Sequence, residues 1–566
     1  MILFNPRSGC RQYEDARSRE IMEKTIAFFE AKGKKQLKAD DHQRKWYGDF
    51  VEFLKENRIF STLLTPPAYA GNDPAARWDT WRNCEFNEIT SFYGLHYWYT
   101  WQVSILGLGP IWMGANEEAK RRAAEYLRQG EVFGLGLSEK THGADIYSTE
   151  TSLAPQPGGG YLARGDKYYI GNGNVARMIS TFGKMADTGE YVFFASDSQH
   201  PNYELIKNIV AVQSYVAGFG LRDYPMTDAD VLSRGDAAWN SALNTVNVGK
   251  YNLGWASIGI CTHALYEAVR HAANRVLYGR AVTEFSHVRR MLIDAYARLV
   301  SMKLFALRAS DYQRTASAED RRYLLFNPVV KMKVTTQGEE VINLLWDVIA
   351  AKGFEEDTYF EMATRDIRAL PKLEGTVHVN IALILKFMAN YLFRPGRFPE
   401  IPEVRAARHD EFLFNQGAAR GLGKVQFHDP NPVFASWDVP NVAIFREQIT
   451  AFKKALLGAP ATPEQMQDVD FMLSVGEIFT TIVYGQLVLE SARLHGIGND
   501  LVDRIFDCLV RDVSKFATDF ITKPAATDAQ VELGQKVIRR PMREAESTDR
   551  VWQEVLALKD AYEMNP

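Results

Sequence analysis

The stretch 365-RDIRALPKLEGTVHVNIALILKFMANYLF-393 sets a carboxylate, Glu374, then a glycine and a threonine at the mouth of a long apolar run. Thr376 is placed to cap a helix that starts at the next residue. A glutamate in this position is either a device that complements the helix dipole or a group kept for chemistry. The residues around it and upstream of it bear on that choice.

Working outward, helical text extends on both sides. Upstream lie YNLGWASIGICTHALYEAVRHAANRVLYGR, HVRRMLIDAYARLVSMKLFALRASDYQRT and VVKMKVTTQGEEVINLLWDVIAAKG, with apolar residues at helical spacing. Together with the run after Glu374 they predict a bundle of long helices over 246–393. Downstream, 394-RPGRFPEIPEV-404 reads as a Pro-rich linker. Beyond it, Thr462-Pro463-Glu464-Gln465 carries the residues of a capping box and leads into MQDVDFMLSVGEIFTTIVYGQLVLESARLHG, so 394–566 is expected to be a helical extension. Towards the start, EDARSREIMEKTIAFFEAKGKK, DHQRKWYGDFVEFLKENRIF and NEEAKRRAAEYLRQGE predict a helical domain over 1–131. After Val132 glycines become frequent and short β-rich runs appear (GYLARGDKYYIGNG, EYVFFASD, NIVAVQSYVAGFG), which predicts a small antiparallel sheet or barrel over 132–245. The fold class is therefore α+β, mostly α.

The chain has 566 residues, 46% hydrophobic and 24% charged, enough apolar content for a large core and against extended disorder. A net charge of -4 argues against a general nucleic-acid binder. The four cysteines, Cys10, Cys84, Cys261 and Cys508, form no CxxC pair, so reduced thiols are expected and neither a disulfide scaffold nor a metal site. The opening residues lack an apolar signal region, and a cytoplasmic location is expected. Ile89 to Asn116 contains no Asp, Glu, Lys or Arg and is long enough to cross a bilayer. His96, Gln102, several glycines and Pro110 interrupt it, so a buried helix and turn is expected and no membrane span.

Three further segments carry chemistry-bearing residues. In 134-GLGLSEKTHGADIYSTET-151 small residues and hydroxyls surround Glu139 and Asp145, which suits close backbone approach to a ligand or a simple Gly-rich turn. In 164-RGDKYYIGNGNVA-176, Gly165-Asp166 reads as a hairpin turn, Lys167–Ile170 as a strand and Asn172-Gly173 as a second turn. An aromatic on that strand either stacks on a planar cofactor or packs in the core. In 275-RVLYGRAV-282, Arg275 and Arg280 flank Tyr278-Gly279, as a grip for a pyrophosphate or as a solvated helix end.

The four segments occur in one order and at spacings that resemble the acyl-CoA dehydrogenase family. GLSEKTHGAD looks like the family's T-E-P-x-x-G-S-D loop, GDKYYIGNG like G-x-K-x-W-I-T-N-G, RVLYGRAV like R-x-x-F-G-x-x-I, and RDIRALPKLEGT like R-D-x-x-x-x-x-I-Y-E-G-T. The resemblance covers about residues 15 to 393 and implies the family's fold: a helical domain, a middle β-barrel domain, a helical bundle and, in larger members, a helical extension. It implies FAD as cofactor, an acyl-CoA thioester as substrate, and Glu374 as the base that takes the α-proton while the β-hydrogen leaves as hydride, giving a trans-2-enoyl-CoA. Apolar surroundings would raise the pKa of that base towards neutrality. The other site some members use, at the start of the third domain, reads 246-VNVGKYNLGWA-256 and has no carboxylate. By the same resemblance Leu137, Ser138, Gly143 and Ala144 line the flavin and Tyr169 stands beside its ring. Arg275 and Tyr278 reach the FAD of a neighbouring subunit. Gly353 falls in the segment that holds the partner's pyrophosphate, and Thr376 and His378 lie near the adenine half.

Departures from the pattern are Ala144 for Ser, Gly171 for Thr at a flavin-contact position, Leu373 for Tyr, and 347-DVIAAKG-353 for Q-x-x-G-G-x-G. Alanine methyls at 350 and 351 crowd a backbone that a pyrophosphate approaches. The resemblance further implies a place in fatty acid β-oxidation, an electron-transferring flavoprotein as acceptor and, from the extension, a homodimer. A flavin oxidase or monooxygenase on the same fold and a catalytically silent scaffold are the alternatives. The aromatics of 92-FYGLHYWYTWQ-102 are expected to narrow the acyl pocket.

Overall fold

Strand-forming text after Val132 becomes eight strands: β1 (Phe133–Gly136), β2 (Ser152–Pro155), β3 (Tyr161–Gly171), β4 (Met178–Met185), β5 (Tyr191–Ser196), β6 (Tyr203–Asn208), β7 (Val216–Met226) and β8 (Val231–Arg234). In this computed structural model, which describes residues 2–566, seven of them hydrogen-bond in the order β6-β7-β3-β2-β4-β5-β8, and β1 pairs with β4 off this path. The sheet is mainly antiparallel, with β1 and β2 running parallel to β4. Leu153, Ile170, Ile179, Phe194, Phe219 and Leu221 are buried together as its core.

Gly165-Asp166 is not a hairpin turn. β3 runs straight through it, and the turn lies earlier, closed by Gln156 N–H to Gly160 O at 3.0 Å. Gly165 sits at a register shift with φ 140, and a Cβ there would lie 2.7 Å from Thr151 Oγ1. The glycine answers a close approach between strands, which a dipeptide signal cannot distinguish from a turn.

The described residues divide into two compact units. One holds 9–252, 405–420 and 564–566; the other holds 2–8, 253–404 and 421–563. The N-terminal helices and the sheet therefore share one unit, and the bundle and most of the extension share the other, where four segments are expected from the sequence. The sheet ends at Arg234, and the helix Gly235–Asn274 begins ahead of the expected boundary at 245 because DAAWNSALNTVN continues helical.

In the first unit the charge-free run forms the helices Thr80–Tyr93 and Leu95–Met113, buried almost throughout. Tyr93 stacks on Phe29 at 4.6 Å, and Tyr97 meets the edges of Phe29 and Phe50. Trp98 and Trp101 both donate to Asn87 Oδ1, at 2.8 and 3.0 Å. These aromatics are committed to the helical core rather than to a ligand space. The second helix lies tight on β1, since a Cβ on Gly107 would come within 2.7 Å of the Gly134 backbone.

In the second unit the helices Ser286–Arg314 and Thr335–Ile349 pack on each other, and the extension helices Val469–Leu494 and Asn499–Ile521 pack on the first of them. Val469–Leu494 is, among the described residues, the one helix long and apolar enough to cross a membrane, and 83% of its apolar window is buried inside the structure. Arg298 clamps Asp512 with two bonds of 2.8 and 2.9 Å, and Lys333 adds a contact at 3.2 Å. The capping box at Thr462 is present, but it starts only the short helix Pro463–Gln467; Asp468 then caps the long helix. The Pro-rich linker is irregular yet pinned: Arg308 donates to Ile401 O, Arg314 to Val404 O, and Asp311 accepts from Val404 N–H.

Candidate active site

In the sheet-bearing unit, the loop after β1 is tied to β3. Lys167 Nζ donates to Leu137 O at 3.2 Å, and Tyr168 N–H donates to Ser138 O at 3.0 Å. The buried Glu139 accepts from Lys167 Nζ at 2.7 Å, from the Thr149 and Thr151 hydroxyls and from two backbone N–H groups. Burial alone would raise its pKa, but the Lys167 ammonium and these donors overcome that and hold the carboxyl at about 2. Burial pulls the Lys167 amine down to about 8, against the pull of Glu139. Glu139 is thus the pin of the loop, not a group presented to a ligand. Leu137 and Ser138 are half-buried, whereas Gly143 and Ala144 lie exposed in the same loop.

Tyr169 is pushed outward. It sits at the second register shift of β3 with φ 66, and the residue is 58% exposed while Ile170 beside it is buried. A bulky residue in left-handed backbone on a bulge is uncommon and marks a position held for a purpose. Gly171 faces inward: a Cβ there would lie 2.5 Å from Val103 and 2.8 Å from Tyr99. Packing against the helix Leu95–Met113 accounts for this glycine.

In the bundle unit, Val276–Leu277 and Arg280–Ala281 form a two-stranded hairpin. Tyr278 and Gly279 make its turn with φ 53 and 78, which both central positions of such a tight turn require. The turn leaves Tyr278 95% exposed. Arg275 lies against His271, and burial together with the charges of Arg275 and Lys352 lowers the His271 pKa. The fold therefore gathers Arg275, a neutral His271 and the Lys352–Glu355 ion pair at 2.6 Å near one another. Gly353 is buried against Trp346 and Ile349, and Ala350 stands at φ 57, ψ -140, backbone that favours glycine.

Glu374 is half-buried with φ 52, and Gly375 follows at φ 89. Thr376 then caps the helix Val377–Leu385, its Oγ1 accepting from Val379 N–H. Two buried side chains fix this ledge. Lys331 Nζ donates to Pro371 O at 2.7 Å and to Gly375 O, and Asn380 Nδ2 donates to Gly375 O at 3.2 Å and Thr376 O at 2.9 Å. His378 is exposed on the first turn of the helix.

Residues 237–389 match the family model of the acyl-CoA dehydrogenase C-terminal domain. An acyl-CoA dehydrogenase of Bacillus subtilis is 25% identical over 295 residues, half of this chain and 75% of the relative. Similarity to acyl-CoA dehydrogenases thus spans half of the chain, and the C-terminal-domain model of that family matches 237–389 within it. A 3-sulfinopropanoyl-CoA desulfinase of Cupriavidus necator is 24% identical over 302 residues, half of this chain and 72% of the relative. An acyl-CoA dehydrogenase of Bacillus anthracis, solved with FAD, superposes with a TM-score of 0.75 at 17% identity, covering 99% of this chain and 97% of its own. The shared fold therefore includes the extension.

Sequence reasoning missed Lys331 and Asn380. The only sequence signal for Lys331 is a lysine inside the apolar run NPVVKMKV, which reads equally as a side chain reaching solvent.

Proposed function

We propose that the chain is an FAD-dependent dehydrogenase that converts an acyl-CoA thioester to its trans-2-enoyl-CoA, with Glu374 as the base. The observation that carries this reading is the ledge: a half-buried carboxylate on left-handed backbone, followed by a left-handed glycine and anchored by Lys331 and Asn380. A carboxylate used only to complement a helix dipole needs no such anchoring.

The side chains in place suit a flavin dinucleotide. Tyr169 offers an outward aromatic face for a planar ring. Arg275, whose guanidinium bonds only the neutral His271 ring among the described residues, offers positive charge for a pyrophosphate. Leu137, Ser138, Gly143, Ala144, Thr376 and His378 are further residues assigned to the cofactor, and Tyr278 and Gly353 to the FAD of a second copy. FAD supplies the two-electron acceptor for the β-hydrogen. Glu374 takes the α-proton, and its own backbone N–H donates to the thioester carbonyl oxygen, where negative charge develops. We assign a homodimer, an electron-transferring flavoprotein as acceptor and a cytoplasmic location to the same reading. Exposed Tyr278 and Phe354 are the surface a second copy would cover.

Flavin absorbance followed during anaerobic addition of a panel of acyl-CoAs tests the reading. Bleaching by one class is the expected result; a yellow protein that no acyl-CoA bleaches would overturn it. Glu374→Gln should keep flavin and bind acyl-CoA while turnover falls by about 10²–10⁴-fold.

A further inference from the structure

Lys331 has no part in the chemistry above, yet it holds backbone carbonyls on either side of the base. Its side chain is fully buried on a single wide turn, Val330–Val334, where the helical ladder slips to π geometry beside Pro328. Such turns recur at functional sites. Two residues on, Lys333 points the other way, to Asp512 of the extension.

The two carbonyls that Lys331 holds belong to Pro371 and Gly375, three residues before Glu374 and one after it. A single ammonium therefore closes the chain on both sides of the carboxylate. Asn380 secures the same Gly375 carbonyl from the helix that follows. Left-handed backbone at a non-glycine residue persists only where its surroundings hold it, and these are the groups that do so at Glu374. An apolar side chain would fill the space without the desolvation cost of an ammonium, so the lysine is kept for its donors.

We propose that Lys331 is a positioning residue: its ammonium, bonded to the Pro371 and Gly375 carbonyls, fixes the backbone that aims the Glu374 carboxylate. The inference rests on Glu374 being the base. Misplacement of a base by about 1 Å costs on the order of 10²-fold, so Lys331→Met should lower kcat by about that factor while KM changes little and flavin is retained. In the same holoenzyme without substrate, amide exchange across 372–377 should speed up. Lys333→Met serves as the control: it should lower thermal stability but leave kcat and exchange across the ledge as they are. Lys331→Gln, which keeps a donor, should fall between Lys331→Met and the unaltered protein, and it is read in the same two ways if the Met variant does not fold.

Unchanged exchange across the ledge, or an unchanged kcat, would overturn the inference. So would a kcat loss matched by an equal loss in Lys333→Met. Glu374→Gln separates this failure from failure of the function itself. If that variant is inactive while Lys331→Met is normal, only the positioning role falls; if Glu374→Gln turns over normally, the assignment of the base falls with it.

Discussion

Glu374, Tyr169 and Ala350 all hold left-handed backbone without being glycine, and all three lie in segments assigned to the site. Such conformations cost about 1–3 kcal/mol each and survive where packing over-determines them. Ala350 is the informative case, because nothing in its side chain requires alanine there. Ala350→Gly should raise unfolding free energy by about 1 kcal/mol, read by denaturant titration; a loss would mean that the turn is not strained. Glu139 gives a pH prediction. Its carboxyl is held at about 2 in the fold against a reference of 4.5. Its contribution is therefore whole above pH 4.5 and drains away as pH falls towards 2, by roughly 3 kcal/mol at most. Melting curves between pH 5 and 2 should show this acid loss, and Glu139→Gln should flatten it.

At the scale of elements, fit between neighbours decides. Gly171→Thr would restore the residue of the family pattern, but its side chain would run into Val103 and Tyr99. We expect it to destabilise by about 1–3 kcal/mol, measured by thermal unfolding. Asp512→Asn breaks the clamp with Arg298 and leaves a buried guanidinium short of its counter-charge, which should cost about 3–5 kcal/mol. The helices were legible in the sequence because apolar spacing is a local signal, and so was the cap at Thr376. The carboxylate of Glu374, the aromatic of Tyr169 and the Arg275–Tyr278 turn were legible for the same reason: each lies inside a short motif. Gly165 was not, since its reason is Thr151 on another strand. Glu139 and Lys167 were each visible, but their bond joins positions 28 residues apart.

For the whole molecule, the extension is structural in the bundle unit. Val469–Leu494 covers the helices Ser286–Arg314 and Val377–Leu385. A chain cut after Phe393 should expose that apolar surface and bind a hydrophobic dye or aggregate; a soluble, cooperatively melting product would refute this. By itself the sequence determined the order of helical and β segments and singled out Glu374, Tyr169 and Arg275 as candidates, because periodicity and short motifs act over a few residues. Only the tertiary structure decided that four textual segments make two packed units, that Gly171 serves a helix, that Glu139 is locked by Lys167, and that Lys331 clasps the chain around Glu374. Those facts depend on groups far apart in the chain, brought within hydrogen-bond or van der Waals distance by burial of the core, and no local pattern encodes which of them will meet.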